Sequence, residues 1–224
     1  MNEGLSGRAV LVFGASGALG SGVSAAFAAA GALVTGVDKA APGGAAAVDS
    51  VSHETVDLTD DAAVRELFDS RPAPWAVLNT VGGFAPRRPL AELDAAELNG
   101  QLELNLVTAA LVTKHALRVM QPSRAGRIVH TASRAAVASE GSGFAYSVSK
   151  LGVLHLVSMA AHEVRGTNIT VNCVMPSIID TPANRAAMPH ANYDSWPKVP
   201  DVAVSYLYLA DPAAGLVNGA VLPV

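Results

Sequence analysis

Tyr146 and Lys150 have the residue types and the spacing for proton transfer. They lie four residues apart in Tyr146-Ser147-Val148-Ser149-Lys150, and on a helix that spacing places the phenol and the ammonium on one face. A phenol of pKa about 10 exchanges protons poorly at neutral pH, whereas a neighbouring ammonium favours the phenolate and lowers that pKa. The pair therefore indicates a tyrosine general acid or base. Taken without context, however, this common spacing favours the structural interpretation, an exposed lysine beside a packed tyrosine.

A glycine-rich turn follows the first predicted strand. The apolar run Ala9–Phe13 is typical of a buried parallel strand, Gly14–Gly20 supplies the turn, and a helix is predicted from Ser21 to Ala30. A second strand, Leu33–Val37, ends at Asp38. Glycines let the backbone approach a pyrophosphate, the start of the helix offers free N–H groups, and an acid about 20 residues further on can bind a ribose diol. This context predicts a dinucleotide site rather than a purely structural turn.

The composition excludes several classes of protein. The chain has 224 residues, 50% of them hydrophobic, and a net charge of −4, which excludes a disordered chain and argues against nucleic acid or anionic membranes as partners. The uncharged stretch from Ala9 to Val37 is long enough to cross a bilayer, but its glycines and serines make a membrane span a poor interpretation. The single cysteine, Cys173, cannot form an internal disulfide, which predicts a reducing, cytoplasmic location.

Strand and helix patterns alternate along the rest of the chain. The further predicted strands are Glu54–Asp57, Trp75–Asn79, Arg127–Thr131, Ile169–Val174 and Ala220–Val224. The further predicted helices are the one capped by residues 59–61 and ending near Ser70, Leu93–Met120 with a break near Gly100, Phe144–Val164 and Pro200–Leu209. Such alternation predicts an α/β fold: a doubly wound parallel sheet (Rossmann fold) of about seven strands with helices on both faces. Residues 1–224 are predicted to form a single domain.

With these elements placed, the chain resembles the short-chain dehydrogenase/reductase family over essentially its whole length. The family has a catalytic serine thirteen residues before the tyrosine, at the end of the fifth strand, where Ser133 stands. Its asparagine in the middle of the helix before the fifth strand matches Asn105. The resemblance therefore implies a catalytic set of Asn105, Ser133, Tyr146 and Lys150.

The resemblance also implies a role for each member of this set. Tyr146 donates a proton to a carbonyl oxygen in reduction or accepts one from a hydroxyl in oxidation, and Ser133 hydrogen-bonds the same oxygen. Lys150 lowers the pKa of the tyrosine and holds the nicotinamide ribose, while Asn105 anchors a water that connects Lys150 to solvent. The nicotinamide cofactor supplies the hydride. These roles predict an NAD(P)(H)-dependent oxidoreductase of a small carbonyl or alcohol substrate.

Asp38, at which the second predicted strand ends, bears on the choice of cofactor. The carboxylate of Asp38 can accept hydrogen bonds from the adenosine ribose and repels a 2′-phosphate, which favours NAD(H). Lys39 partly neutralises that charge, so NADP(H) stays an alternative. Asp57 and Leu58 match the family's adenine-contacting pair, although Asp57 would equally suit a helix cap. The residues expected at the cofactor are Gly14, Ser16, Gly17, Ala18, Leu19, Gly20, Asp38, Asp57, Leu58, Asn79, Val81, Gly82, Tyr146, Lys150, Pro176, Ile179 and Thr181.

Where the sequence departs from the usual family pattern, it is similar to quinonoid dihydropteridine reductases. Ala18 replaces the usual middle glycine of the turn, and the connection through residues 42–44, Pro-Gly-Gly, leaves little room for the helix usual there. Those reductases lack the serine and asparagine that Ser133 and Asn105 supply, which favours carbonyl–alcohol chemistry here. An NADH-dependent pterin reductase is the first alternative, and a catalytically silent nucleotide-sensing protein is the second.

The other reactive side chains are interpreted as structural. The histidines on predicted helices lack ligand spacing, so no metal site is expected. His130 and Cys173 are predicted to be packed residues of buried strands. Arg87 and Arg88 are predicted to be solvated loop residues, with contact to a charged substrate as the alternative.

The stretch from Thr181 to Trp196 has no clear periodicity. It is either a lid over the substrate, lined by Met188, Tyr193 and Trp196, or a loop packed on the next helix. The family associates through the helices that carry Asn105 and Tyr146, so the resemblance also implies a homodimer or homotetramer.

Overall fold

A parallel sheet runs through the centre of the protein. The computed structural model describes residues 3–40, 50–84, 88–138 and 143–224. Within those residues, seven parallel strands form one sheet in the order β3-β2-β1-β4-β5-β6-β7. The strands are β1 (Ala9–Phe13), β2 (Leu33–Asp38), β3 (Ser52–Thr55), β4 (Ala76–Asn79), β5 (Ala125–Thr131), β6 (Asn168–Met175) and β7 (Val221–Pro223).

Helices cover both faces of this sheet. One face carries α1 (Ala18–Ala29) and α7 (Val199–Ala210). The other face carries α2 (Asp61–Asp69), α4 (Thr108–Met120) and α5 (Phe144–Glu163). The remaining helices are α3 (Ala95–Leu102), which enters α4 through a π-helical turn at Glu103–Val107, and α6 (Pro182–Ala187). This arrangement confirms the predicted doubly wound α/β fold.

Two apolar layers hold the helices to the sheet. Phe27 of α1 and Tyr206 of α7 are fully buried against one face, and Phe68 of α2 and Val157 of α5 against the other. Each such side chain contributes about 1.5–3 kcal/mol by leaving water. The unbroken apolar run of β1 is explained by this arrangement, because a strand between two layers needs apolar residues in both directions.

The strand order reverses between β1 and β4. Phe13 pairs in register with Asn79, so the carboxyl ends of these two strands lie side by side. The chain leaves β1 at Gly14 for one face and β4 at Thr80 for the other, which opens a crevice between them. In open α/β sheets ligands bind at such a reversal, so the fold places the expected site here.

Three predicted element positions are wrong. The first helix, α1, begins at Ala18, within the predicted glycine turn, rather than at Ser21. β3 covers Ser52–Thr55 rather than Glu54–Asp57, because the side chain of Asp57 accepts hydrogen bonds from the backbone and hydroxyl of Thr59 and forms a turn. The helix continues through Gly100, and the irregularity lies instead at the π-helical turn around Asn105. The connection through residues 42–44, where a helix was expected to be lost, lies outside the described residues.

Among the helices of the described residues, α5 is the one long and apolar enough to span a membrane. It packs against β6 and the π-helical turn instead, and Val153 and Val157 belong to the buried core. Core helices of α/β proteins commonly have this composition. We therefore assign α5 to the core.

Candidate active site

The turn after β1 is built for close approach of a ligand to the backbone. Gly14 has a φ of 79°, in the left-handed region that favours glycine. A Cβ there would lie 2.9 Å from Thr80 Oγ1, and a Cβ at Gly20 would overlap the carbonyl oxygen of Gly14. Gly17 precedes α1 and makes no side-chain cap, so the first N–H groups of α1 stay available to an anion.

Asp38 closes the same end of the sheet. Its Oδ2 accepts a hydrogen bond from the backbone N–H of Ser16 at 3.1 Å, and its Oδ1 accepts one from the N–H of Lys39 at 2.8 Å. The carboxylate is thus held beside the glycine turn, where a ribose attached to a bound pyrophosphate would lie. The turn, the uncapped helix and this carboxylate fit a nicotinamide dinucleotide.

Ser133, Tyr146 and Lys150 meet at one cavity of about 970 Å³. Ser133 follows β5, and the other two project from the first two turns of α5. Gly82, Pro176 and Ile179, which were expected at the cofactor, line the same cavity. The cavity thus combines the predicted proton-transfer residues with part of the predicted cofactor site.

Lys150 is buried, and its Nζ donates to the carbonyl oxygen of Thr131 at 3.0 Å. Burial raises the pKa of the Tyr146 phenol, and a hydrogen bond with Ser133 lowers it in part. The lowering of this pKa by the Lys150 ammonium stays a prediction. Burial also lowers the pKa of Lys150 itself to about 8.

Asn105 lies behind the cavity wall rather than in it. Its Oδ1 accepts from the N–H of Gly83 at 3.2 Å, and its Nδ2 donates to Ser149 Oγ at 3.1 Å and to Gln101 Oε1 at 3.0 Å. Ser149 Oγ in turn donates to the carbonyl oxygen of Tyr146 at 2.8 Å. The Asn105 side chain therefore positions the loop after β4 against the helix that carries Tyr146. Its role in anchoring a water stays a prediction.

Replacing Gly82 with alanine is expected to disturb this arrangement. A Cβ at Gly82 would lie 2.7 Å from Lys150 Nζ and 2.8 Å from Asn105 Oδ1, so both contacts must be relieved by a shift, at about 1–3 kcal/mol of unfolding free energy. Gly100→Ala is the matched control, since it lies exposed in α3 with nothing within 4 Å, and it should stabilise by about 0.5–1 kcal/mol. Denaturant unfolding of both variants measures this. Equal stabilities would contradict the described packing.

His130 is a packed, hydrogen-bonded residue, as predicted. Burial, with a smaller effect of the Lys150 charge, lowers its pKa to about 4, so the ring is neutral at pH 7. Thr113 donates its hydroxyl proton to the carbonyl of Ala109, so His130 Nε2 donates to Thr113 and Nδ1 accepts from Asn79 Nδ2. Asn79 Oδ1 accepts from the N–H of Val81 at 3.1 Å. The Asn79 side chain thus holds the start of the loop after β4 through the N–H of Val81.

Other residues expected at the cofactor lie away from the cavity. Asp57 is held in its turn with Thr59, Leu58 is buried, and Thr181 Oγ1 caps α6 by accepting from the N–H of Asn184. Val81 is half-buried after β4. Their contact with a cofactor stays a prediction.

The segment from Thr181 to Trp196 is closed at its base. Asp180 forms ion pairs with Arg185 at 2.6 Å and with Lys198, and its N–H donates to the carbonyl of Pro197. Both ion pairs hold the pKa of Asp180 below its usual range. Met188 lines the cavity as predicted, whereas Tyr193 and Trp196 pack on each other with ring centroids 5.0 Å apart.

Some residues of the cavity carried no signal in the sequence. Thr131 contributes the backbone carbonyl that accepts from Lys150, and Phe84 contacts the Tyr146 ring edge-on with centroids 5.3 Å apart. Arg134 also lines the cavity, and its position directly after Ser133 is the one sequence feature that could have pointed to it. Arg88 forms an ion pair with Glu97 at 3.2 Å, and Arg87 lies outside the described residues.

Within the described part of the chain, no group of three or more histidine, cysteine or carboxylate side chains is arranged to hold a metal ion. Cys173 is buried in β6, and burial raises the pKa of its thiol to about 12. A thiolate nucleophile at this position is therefore disfavoured.

A glycine turn, an acid at the end of β2 and a cavity at the strand-order reversal define a dinucleotide-binding protein of the Rossmann class. The short chain dehydrogenase family model matches residues 8–192. The chain belongs to the short-chain dehydrogenase/reductase family, whose members use nicotinamide dinucleotides.

Similar proteins of known identity carry dehydrogenase and reductase names. The chain is 34% identical over 182 residues to cis-4-hydroxycyclohexanecarboxylate dehydrogenase of Sinomonas cyclohexanicum, covering 75% of this chain and 72% of that protein. It is 36% identical over 156 residues to a mitochondrial borneol dehydrogenase of Lavandula x intermedia, covering 64% of this chain and only 58% of that protein. A short-chain type dehydrogenase/reductase structure from Mycobacterium ulcerans superposes with a TM-score of 0.89 at 28% identity, covering 98% and 89% of the two chains.

Proposed function

We propose that this protein is an NAD(H)-dependent oxidoreductase that interconverts a carbonyl and an alcohol, with Tyr146 as general acid and base. The observation that carries the proposal is the meeting of Ser133, Tyr146 and Lys150 at one cavity beside Gly82. Relatives named as dehydrogenases of hydroxycyclohexanecarboxylate and of borneol support an alcohol or carbonyl substrate.

Each residue has a defined part in the proposed reaction. Bound nicotinamide supplies or accepts the hydride. Burial keeps the Tyr146 phenol protonated at neutral pH, so it is ready to donate its proton to a carbonyl oxygen. The Ser133 hydroxyl stabilises the charge that develops on that oxygen. Lys150, fixed by the Thr131 carbonyl, provides the positive charge next to the developing phenolate.

Turnover of a chemically varied panel tests the proposal. Loss of the absorbance of reduced nicotinamide is followed with NADH and NADPH separately, using cyclic ketones, oxo acids and a quinonoid pterin as acceptors. Turnover of a ketone or an oxo acid with NADH is the expected result. Turnover of the pterin alone would favour the pterin reductase, and tight NADH binding with no turnover would favour a nucleotide sensor.

Asp38 is expected to determine the preference for NADH. Asp38→Asn removes the charge that repels a 2′-phosphate but keeps an oxygen for the Ser16 N–H. The ratio of kcat/KM for NADPH to that for NADH should rise at least about tenfold, which is about 1.4 kcal/mol. Asp60→Asn, which keeps an oxygen to cap α2, is the control and should leave the ratio unchanged. An unchanged ratio in Asp38→Asn would contradict the assignment.

A homo-oligomer in the cytoplasm completes the proposal. Leu104 and Val107 of the π-helical turn and Leu151 and Met159 of α5 are between 36% and 52% exposed, and exposed apolar residues on neighbouring elements favour association. These elements carry Asn105 and Tyr146. Light scattering of the purified protein is expected to give the mass of a dimer or tetramer, and a monomer would contradict it.

A further inference from the structure

The charged side chains among the described lining residues of the cavity are all positive. Among its described lining residues, Arg134 and Lys150 are charged, and no carboxylate is present. Lys150 has a task in the proposed reaction and donates to the Thr131 carbonyl. Arg134 has no such task, so the second positive charge is not explained by proton or hydride transfer.

Arg134 is fixed at the cavity wall by its backbone. Its N–H donates to the carbonyl oxygen of Pro176 at 3.0 Å, and its carbonyl accepts from the N–H of Ala138 at 3.1 Å. The residue is exposed, and none of the ion pairs between described residues involves it. By contrast, Arg185 and Lys198 are both paired with Asp180. A backbone-anchored arginine at a cavity wall is suited to bind an anion there.

The surroundings strengthen such an interaction. Phe84, Ala138, Ile178 and Met188 line the same cavity and are apolar, and charge-assisted hydrogen bonds gain strength where water is displaced. A guanidinium matches a carboxylate with two parallel hydrogen bonds, which a neutral group cannot reproduce.

We infer that Arg134 binds a carboxylate of the substrate, so that the substrate is an oxo acid or hydroxy acid. This inference rests on the proposed function of the same cavity. Ser133 has extended backbone dihedrals, φ −157° and ψ 147°, so its side chain and that of Arg134 diverge. The carboxylate therefore lies several bonds from the carbon that exchanges the hydride, and is not attached to it.

Binding of an unreactive acid tests this inference independently of turnover. Calorimetry measures the affinity of cyclohexanecarboxylate and of its neutral isostere cyclohexanecarboxamide, with and without NADH. The acid is expected to bind at least about tenfold more tightly than the amide. Arg134→Met should abolish this difference, and Arg134→Lys should restore part of it. Equal binding of acid and amide by the unmodified protein would overturn the inference.

The control variant is Arg118→Met, which makes the same change on the surface of α4, where Arg118 pairs with Asp69. It should leave the acid preference unchanged. NADH affinity shows whether Arg134 binds a substrate carboxylate or the cofactor phosphates. An Arg134→Met variant that binds NADH at least about tenfold more weakly would place Arg134 on the cofactor phosphates and overturn the inference.

Turnover measurements distinguish a failure of this inference from a failure of the proposed function. With 4-oxocyclohexanecarboxylate, Arg134→Met should lower kcat/KM by about 10²-fold, while the methyl ester should change by less than about threefold. Equal losses with acid and ester would overturn the role of Arg134 and leave the oxidoreductase intact. Carboxylate binding that depends on Arg134 without turnover of any acceptor would support the anion site and contradict the oxidoreductase.

Discussion

Tyr146→Phe is expected to lower kcat/KM by about 10³-fold with every acceptor that the protein reduces. The substitution removes the one proton that the proposed reaction transfers to the carbonyl oxygen, and general acid catalysis contributes about 10²–10⁴-fold. The ring and its edge-on contact with Phe84 are retained. NADH affinity should therefore change little, and the unfolding free energy should fall only by the hydrogen bond to Ser133, about 1 kcal/mol; steady-state kinetics, NADH titration and denaturant unfolding measure these effects.

Tyr208→Phe is the matched control for this variant. Tyr208 is 53% exposed on α7, away from the cavity, and loss of its hydroxyl should leave kcat/KM within about twofold, as for surface substitutions generally. A Tyr146→Phe enzyme that keeps its activity would show that the proton comes from another group and would reject the mechanism.

Lys150→Met is expected to have opposite effects on activity and stability. Activity should fall about 10²-fold, because the positive charge beside the developing phenolate is lost. Stability at pH 7 should rise, because burial disfavours the charged lysine: a pKa lowered from 10.5 to about 8 corresponds to an upper bound of about 3 kcal/mol. Methionine fills the same space without that penalty.

The gain in stability should depend on pH. Below pH 8, Lys150 is charged in both the folded and the unfolded state, so the penalty is fully present. Between pH 8 and 10.5 the folded state releases its proton first, so the wild type gains stability relative to the variant until the penalty is gone. Denaturant unfolding across this range measures the closing difference. Lys114→Met, on the exposed surface of α4, is the control, and a difference that does not vary with pH would contradict the buried charge.

The first βαβ unit could be predicted from local sequence. The apolar run of β1, the glycines after it and the acid after β2 each report a local requirement: burial on two faces, close backbone approach and the end of a strand. The tyrosine and lysine were equally visible, because their spacing on one helix is also local. The spacing of the two residues does not show how deeply they are buried. For that reason the lowered pKa of Lys150 and its hydrogen bond to Thr131 could not be predicted.

The remaining features depend on contacts between distant parts of the chain. The π-helical turn at Glu103–Val107 adds one residue to a helical turn and has no residue type that marks it, whereas glycine is a visible helix-weakening residue, so a break was predicted at Gly100 instead. The pairing of Asp180 with Lys198 joins residues far apart in sequence. Arg134 enters the cavity because its backbone is bonded to Pro176 of the next strand connection.

The contacts of Asp180 join the two ends of the segment from Thr181 to Trp196, so the length of this segment can change without a change in the rest of the fold. Because the ends of the segment are joined beside β6, lengthening it between them adds little loop-closure entropy, which grows only slowly with loop length. Insertions near Met188 would reshape the part of the cavity that Met188 lines and leave the sheet, the glycine turn and Tyr146 where they are. New substrate specificities are therefore accessible to this chain through residues 182–195, none of which belongs to the buried core.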